Sequence, residues 1–263
     1  MLNLVIHGAA GRMGRRLVAL AAEDPQLRLV AAVDVPDHQR LGADAGELAG
    51  VGKLGVPLAD ALPVRAEPDV AIDFSLPAGT EAFLPICVAS RLPLVVATTG
   101  FDDRQEQQLA DASEQIALLR APNMSLAVNL TMKLARMAAE ALRAQEADVE
   151  ILERHHRFKE DAPSGTALKF GEIIAAVMGQ TDHRHGRHGR TGARPRGEIG
   201  YHAIRTGDHP GEHTIVFSML GETVELTVRA SSRDCYALGA LAAAKFLAGK
   251  PPGQYAMADI LGL

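Results

Sequence analysis

The chain has 263 residues, 47% of them apolar, and its 27 basic and 32 acidic side chains give a formal charge of −5. That much apolar material can fill a core without disulfides or structural metal, and the length suits one large domain or two smaller ones. The negative balance argues against a general nucleic-acid binder, and no uninterrupted apolar run approaches membrane length. Cys87 and Cys235 stand far apart outside any pairing motif, and Met1 leads directly into a strand-like stretch without a signal peptide. The expectation is a cytoplasmic protein that works on neither nucleic acid nor membrane.

Asn3 to His7 is predicted as a short strand ending in Gly8-Ala9-Ala10-Gly11-Arg12-Met13-Gly14. A helical pattern follows through Met13, Leu17, Val18 and Leu20, and a second strand from Leu27 to Val33 stops at Asp34. This is the plan of a dinucleotide site. Glycines let the backbone approach a pyrophosphate, the helix start supplies N–H groups, and an acid about 20 residues on accepts from a ribose hydroxyl. The Gly-x-x-Gly-x-x-Gly spacing departs from the usual Gly-x-Gly-x-x-Gly, but the strand before, the helix after and Asp34 support it. A mononucleotide loop would need Gly-Lys-Ser/Thr, which is absent. Asp34 would repel a 2′-phosphate, which favours NADH; His38 and Arg40 stand close enough to keep NADPH open.

Leu41 to Val56 reads as a glycine-rich surface loop. Strands are predicted at Val70–Phe74, Leu94–Ala97 and Ile116–Leu119, with helices over Pro77–Ser90 and from Asp102 or Asp103 to Ser113. Alternating strands and helices predict a parallel sheet with its ligand at the carboxyl ends of the strands. Gly8, Asp34, Ser75, Thr98, Thr99 and Asn123 fall along that edge. One hydroxyl there is most simply a cap or turn residue; the row as a whole is better explained by a bound dinucleotide.

Ala127 to Leu142 is a long helical pattern that reads as the passage between domains. An apolar run with Val149, Ile151 and Leu152 then leads into Glu153-Arg-His-His-Arg-Phe-Lys-Glu-Asp-Ala-Pro-Ser-Gly-Thr166. If His155 and His156 are still extended they face opposite ways, so only one aims into a pocket; Lys159 follows at loop distance. Ser164 suits the N-cap of a helix running to about Val177, where the N–H groups of Gly165 and Thr166 would attract a carboxylate or phosphate. Residues 180–197 form a basic stretch whose His183, His185 and His188 lack carboxylate or thiolate support. A mobile solvated or substrate-gating loop, with no metal, is the expectation there. Strands at Glu198–Thr206, Glu212–Met219 and Glu222–Ser231 predict an antiparallel or mixed sheet and a plausible oligomer surface. A helix from Tyr236 to Leu247, closed by Pro251-Pro252, is expected to return to the first domain.

With these segments read, the chain resembles the 4-hydroxy-tetrahydrodipicolinate (dihydrodipicolinate) reductase family over nearly its whole length. The resemblance is carried by Gly8 to Gly14, Thr98-Thr-Gly-Phe101 and above all Glu153-x-His-His-x-x-Lys-x-Asp-Ala-Pro-Ser-Gly-Thr166. It implies a Rossmann-like parallel-sheet domain over residues 1–126, completed by 235–263. It also implies a smaller α/β substrate and oligomerisation domain with a mixed sheet over 127–234, assembled as a homotetramer. The implied reaction is the reduction, by NADH or NADPH, of a cyclic dicarboxylate with loss of water, on the diaminopimelate route to lysine. Carried over, Gly8, Ala9, Ala10, Gly11, Arg12 and Met13 hold the pyrophosphate and Asp34 the adenosine ribose. Ala97, Thr98 and Thr99, with Ala121, Pro122, Asn123 and Met124, line the nicotinamide side. His155 is the proton donor or acceptor and Lys159 the proton donor, while His156, Gly165 and Thr166 bind substrate. Three positions depart from common family patterns: Ala97 replaces glycine, Met124 an aromatic, and Val35 a phosphate-binding arginine. The last of these counts against strong NADPH use.

Two other readings stay open on the residues alone. A homoserine- or aspartate-semialdehyde-type Rossmann enzyme is one, although the semialdehyde type needs a catalytic cysteine and neither cysteine sits in such a motif. A non-catalytic NAD sensor is the other, and it would be expected to have lost the His/Lys cluster.

Overall fold

Continuous apolar runs such as Leu4-Val5-Ile6, Val70-Ala71-Ile72 and Leu94-Val95-Val96 offer no polar face to water, so each needs cover on both sides. In the computed structural model, which describes residues 1–262, they lie inside a seven-stranded parallel sheet. Its strands are β1 (Leu2–His7), β2 (Leu27–Val33), β3 (Leu58–Ala59), β4 (Val70–Asp73), β5 (Leu94–Val96), β6 (Ala117–Arg120) and β12 (Gly253–Tyr255). The spatial order is β12-β6-β5-β4-β1-β2-β3. On one face Leu17 and Val18 of α1 (Arg12–Glu23) and Ala237, Ala240 and Ala244 of α7 (Asp234–Leu247) close the core. On the other, Phe83, Leu84 and Cys87 of α3 (Pro77–Ala89) and Leu109 and Ala112 of α4 (Asp103–Ser113) do so. The strand order reverses between β1 and β4, the place where such sheets open a crevice at their carboxyl ends.

Local chemistry sets the element ends. Asp102 caps α4 with a reciprocal capping box to Gln105, and Pro77 opens α3 at its first turn, where its missing N–H costs nothing. Leu41–Val56, expected as a plain loop, contains the short helix α2 (Ala45–Ala49). Asp44 organises it by accepting from the N–H groups of Gly46, Glu47, Leu54 and Gly55. The strands β3 and β12 and the final helix α8 (Met257–Ile260) carry too few residues for periodicity to reveal them.

The chain divides into two compact units: Met1–Leu126 with the segment from Asp234 onward, and Ala127–Arg233. The second unit holds α5 (Leu126–Leu142, from Ala127), β7 (Asp148–His155), α6 (Gly165–Met178), β8 (Asp182–His185), β9 (Glu198–Arg205), β10 (Glu212–Met219) and β11 (Glu222–Arg229). Its sheet is mixed, in the order β11-β10-β7-β9-β8, antiparallel from β11 to β7 and parallel from β7 to β8. Alternation along the strands puts Val149, Ile151, Ile215 and Phe217 under Ala135 and Ala139 of α5 and Phe170 and Ile174 of α6.

The basic stretch over 180–197, expected as a solvated or substrate-gating loop, is exposed along nearly all of its length, but it opens with a short strand and is tied down by ion pairs. β8 pairs with β9, and the half-buried Glu150 carboxylate draws in Arg187 at 2.6 Å and Arg194 at 3.0 Å. Arg187 also reaches Glu198, and Arg194 reaches Asp148 at 2.7 Å. Acids supplied from β7 and β9 neutralise the arginines and anchor the segment, a pairing invisible in local composition.

Candidate active site

The first unit builds a backbone cradle. The N–H groups of Gly8 and Ala9 bond to Val33 O at 2.9 and 3.1 Å, so the turn after β1 is tied to the end of β2. Gly8 takes a φ of 77°, and a Cβ there would sit 2.6 Å from Phe74 O; a Cβ on Gly14 would sit 2.1 Å from Gly8 O. Both positions therefore need glycine. The start of α1, with Gly11 as N-cap, has neither a side-chain cap nor an acid in its first turn. Exposed Gly11 and Arg12 stand there beside half-buried Ala10 and Met13, so unneutralised positive potential faces the cradle. These features fit the pyrophosphate of a dinucleotide. The Asp34 carboxylate accepts from the N–H groups of Ala10 at 2.8 Å and Val35 at 2.9 Å, which braces the cradle from the end of β2.

Part of the polar row along this edge is engaged by a buried acid. Asp73, fully buried, accepts from Ser75 Oγ at 2.6 Å, Thr98 Oγ1 at 3.0 Å and Thr80 Oγ1, and His7 Nδ1 lies 2.7 Å away. Thr98 Oγ1 in turn accepts from Ser75 N at 3.1 Å, and the His7 ring stacks on Phe83 with centroids 4.5 Å apart. The hydroxyls of Ser75 and Thr98, expected in a dinucleotide-facing row, are thus engaged by a buried carboxylate that needs donors. Thr99 is exposed beside buried Ala97. In the next loop Pro122 is exposed, Asn123 half-buried with Oδ1 accepting from Ser125 N at 2.9 Å, and Ala121 buried. Met124 lies in the core with α7.

In the second unit His155 ends β7 with its side chain buried, and its Nδ1 lies 2.6 Å from Glu153 Oε2. Arg205 clamps the same carboxylate with two N–H groups at 2.7 Å, and Ser164 N donates to it at 2.9 Å. Burial alone would push the Glu153 carboxyl up; the bonds from His155, Arg205 and Ser164 outweigh it and hold the group at about 2. Ser164 caps α6 by accepting from Ala167 N at 3.2 Å and lies 3.0 Å from His213 Nε2. His213 is pushed down to about 4 by burial and then by the neighbouring charge of His155. It therefore stays neutral, and its Nε2 can accept a hydrogen bond from the Ser164 hydroxyl. The two imidazoles meet edge to face at 5.2 Å.

The loop between β7 and α6 is held by the connector beyond β9: His156 N donates to His209 O at 2.8 Å and Arg157 N to Gly207 O at 3.1 Å. Lys159 Nζ reaches Asp161 at 2.7 Å. His156 lies past the strand with Nε2 3.3 Å from the Arg233 guanidinium; desolvation, then the Arg233 charge, lowers its pKa. Exposed Gly165 and half-buried Thr166 form the first turn of α6. His155, Lys159, Ser164 and the α6 N-terminus thus belong to one loop, with Arg205 and Arg233 adding positive charge. Such a loop can receive a carboxylate and exchange a proton.

Residue patterns missed His7, Asp73, Arg205 and His213. Arg205 and His213 lie on strands predicted only as sheet, and no motif joins them to Glu153 or Ser164. The signal available was chemical: each is a polar side chain in an apolar, strand-like context, which demands a partner. Among the described residues no group of three or more His, Cys, Asp or Glu side chains is placed to hold a metal ion. No helix among them is long and apolar enough to cross a membrane.

Comparison with known proteins follows the same two-part division. Residues 2–124 match the family model described as dihydrodipicolinate reductase, N-terminus, and residues 127–261 match its C-terminus. A 4-hydroxy-tetrahydrodipicolinate reductase of Rhodopirellula baltica is 57% identical over 100% of this chain and 96% of its own length. One from Psychrobacter arcticus is 48% identical over the same shares. The solved dipicolinate-bound dihydrodipicolinate reductase of Paenisporosarcina sp. TG-14 superposes with a TM-score of 0.79 at 28% identity, covering 97% of each chain. An amine dehydrogenase of Mycobacterium smegmatis shares the fold at a TM-score of 0.66 and 12% identity, covering 97% of this chain and 94% of its own. The chain belongs to the dihydrodipicolinate reductase family.

Proposed function

We propose that the protein reduces 4-hydroxy-tetrahydrodipicolinate to tetrahydrodipicolinate, with loss of water, at the expense of NADH or NADPH, within the diaminopimelate route to lysine. Beyond family membership, the observation that carries this reading is the β7–α6 loop. It places a carboxylate-held imidazole, Lys159 and the start of a helix in one segment. The substrate is a small cyclic dicarboxylate, the class to which the dipicolinate bound by the Paenisporosarcina relative belongs. Residues 1–126 with the C-terminal segment form the dinucleotide-binding domain, and residues 127–234 bind substrate.

A reduced nicotinamide held there would supply a hydride to the conjugated imine that remains once the substrate hydroxyl has left as water. The protein's own groups do the rest. Gly8 to Met13 hold the pyrophosphate, Asp34 binds the adenosine ribose, and the backbone at Ala97–Thr99 and Ala121–Met124 flanks the nicotinamide. His156, Gly165 and Thr166 bind substrate carboxylate. One proton enters per turnover, and His155 Nε2 and Lys159 Nζ are its two candidate donors. The Nδ1 side of His155 already faces a carboxylate.

NADH is the preferred cofactor, because Asp34 and Val35 place a negative charge and no guanidinium where a 2′-phosphate would sit. The working form is a homotetramer; exposed Leu152 and Ile204, on the sheet face opposite Ile151, support a covered surface there. The unpaired Cys87 and Cys235 suit a reducing cytosol. The test is a coupled assay in which a synthase generates substrate in situ and NADH or NADPH consumption is followed by absorbance. Substrate-dependent oxidation with a higher kcat/KM for NADH is expected; no oxidation of either cofactor would end this reading.

A further inference from the structure

Glu153 borders His155, and its geometry gives it a role of its own. Its side chain has no solvent exposure, and its two oxygens take four hydrogen-bonding contacts, from His155 Nδ1, Ser164 N and two N–H groups of Arg205. An isolated buried carboxyl would take up a proton; the bidentate guanidinium and the main-chain donor keep this one ionised. An ionised carboxylate can only accept. The His155 nitrogen that faces it must therefore carry hydrogen, leaving Nε2 as the atom that gains or loses a proton. The opposite oxygen holds Ser164, whose hydroxyl caps α6 and meets His213. One carboxylate thus spans the imidazole and the helix start.

We infer that Glu153 is a positioning residue for the reduction: it fixes the Nδ1–H form of His155 and sets that ring in register with the Ser164–Thr166 helix start. The inference rests on the proposed reductase reading for its kinetic consequences but not for the tautomer. A purely structural role, with Glu153 only neutralising Arg205, would leave the His155 tautomer unspecified. The charged or titratable groups that meet His155 are Glu153 on its own strand, His213 on β10 and His156 on the following loop, with Arg205 of β9 against Glu153 and Lys159 acting on His156 and His213. Of these, Glu153 is placed against Nδ1.

The experiment uses the full chain labelled with ¹⁵N-histidine, as wild type, Glu153→Gln and Glu153→Asp. Imidazole ¹⁵N shifts are read at alkaline pH, and kinetics are measured with NADH. In the wild type His155 is expected as the Nδ1–H tautomer. In Glu153→Gln the preference weakens or reverses, kcat falls by about a hundredfold or more, and NADH binding without substrate is unchanged. Glu153→Asp keeps the charge but withdraws it by one methylene, and should fall between the two. It also serves as the test variant if the glutamine form does not fold.

An Nε2–H tautomer in the wild type would overturn the inference outright. So would a folded Glu153 variant with unaltered tautomer and kcat within twofold of wild type. A wild type with the expected tautomer but no reductase activity would count against the reaction assigned above and leave the Glu153–His155 pairing standing.

Discussion

A histidine in water exchanges protons through either nitrogen, whereas one pinned at Nδ1 offers a single atom in a fixed direction, and His155 is of the second kind. Replacing it by glutamine, or Lys159 by alanine, should lower kcat by about 10²–10⁴ while NADH affinity, measured by fluorescence titration, changes little. Near-normal turnover in either variant would remove that residue from the proton path. Asp34 acts through charge on a different ligand. Asp34→Ala should raise kcat/KM for NADPH relative to NADH, since the repulsion of a 2′-phosphate is gone. It should also weaken NADH binding, because Ala10 N and Val35 N lose their acceptor. An unchanged ratio would show that the carboxylate does not read the ribose.

At the scale of elements, close backbone approach decides which substitutions are tolerated. Helix α7 lies so near the loop after β6 that a Cβ on Gly239 would sit 1.7 Å from Met124 O. Backbone cannot yield as a side-chain tip can. Gly239→Ala should therefore cost about 1–3 kcal/mol, read as a fall in Tm and in the denaturant midpoint at unchanged m. Asp102→Ala removes one capping box and should cost about 1 kcal/mol. If the two variants proved equally mild, the helix would have room to shift and the packing account of α7 would fail.

Over the whole molecule, acid should act mainly through the second unit. His213 has a folded pKa of about 4 against 6.5 in an unfolded chain. Below pH 6.5 the unfolded state therefore takes up a proton that the folded state refuses, and stability falls until about pH 4. Glu153 is held at about 2, and so is Glu150, where bonds from Arg187, His202 and Arg194 outweigh the upward push of burial. Their contribution is present above the ordinary 4.5 and is lost as pH falls toward 2. Calorimetric unfolding between pH 3 and 8 should show this two-stage loss. His213→Asn should flatten the stage between 6.5 and 4; an unchanged slope there would assign the acid sensitivity elsewhere.

The turn from Gly8 to Gly14, the acid closing β2, the strand–helix alternation and the His-His-x-x-Lys loop were legible in the chain because each depends on neighbours a few residues away. Spacing alone states what such a segment can do: a glycine turn admits a pyrophosphate, and a Ser-Gly-Thr start presents N–H groups. The remainder depended on contacts between distant positions. His7 meets Asp73 across 66 residues, Arg205 meets Glu153 across 52, and Glu150 reaches Arg194 across 44. Those pairings gave a buried acid two hydroxyls expected to face a ligand, and tied an exposed basic stretch to acids on β7 and β9. Local preference writes the menu of each segment, but a buried carboxylate takes whichever donors the fold brings to it, and only the tertiary structure decides which those are.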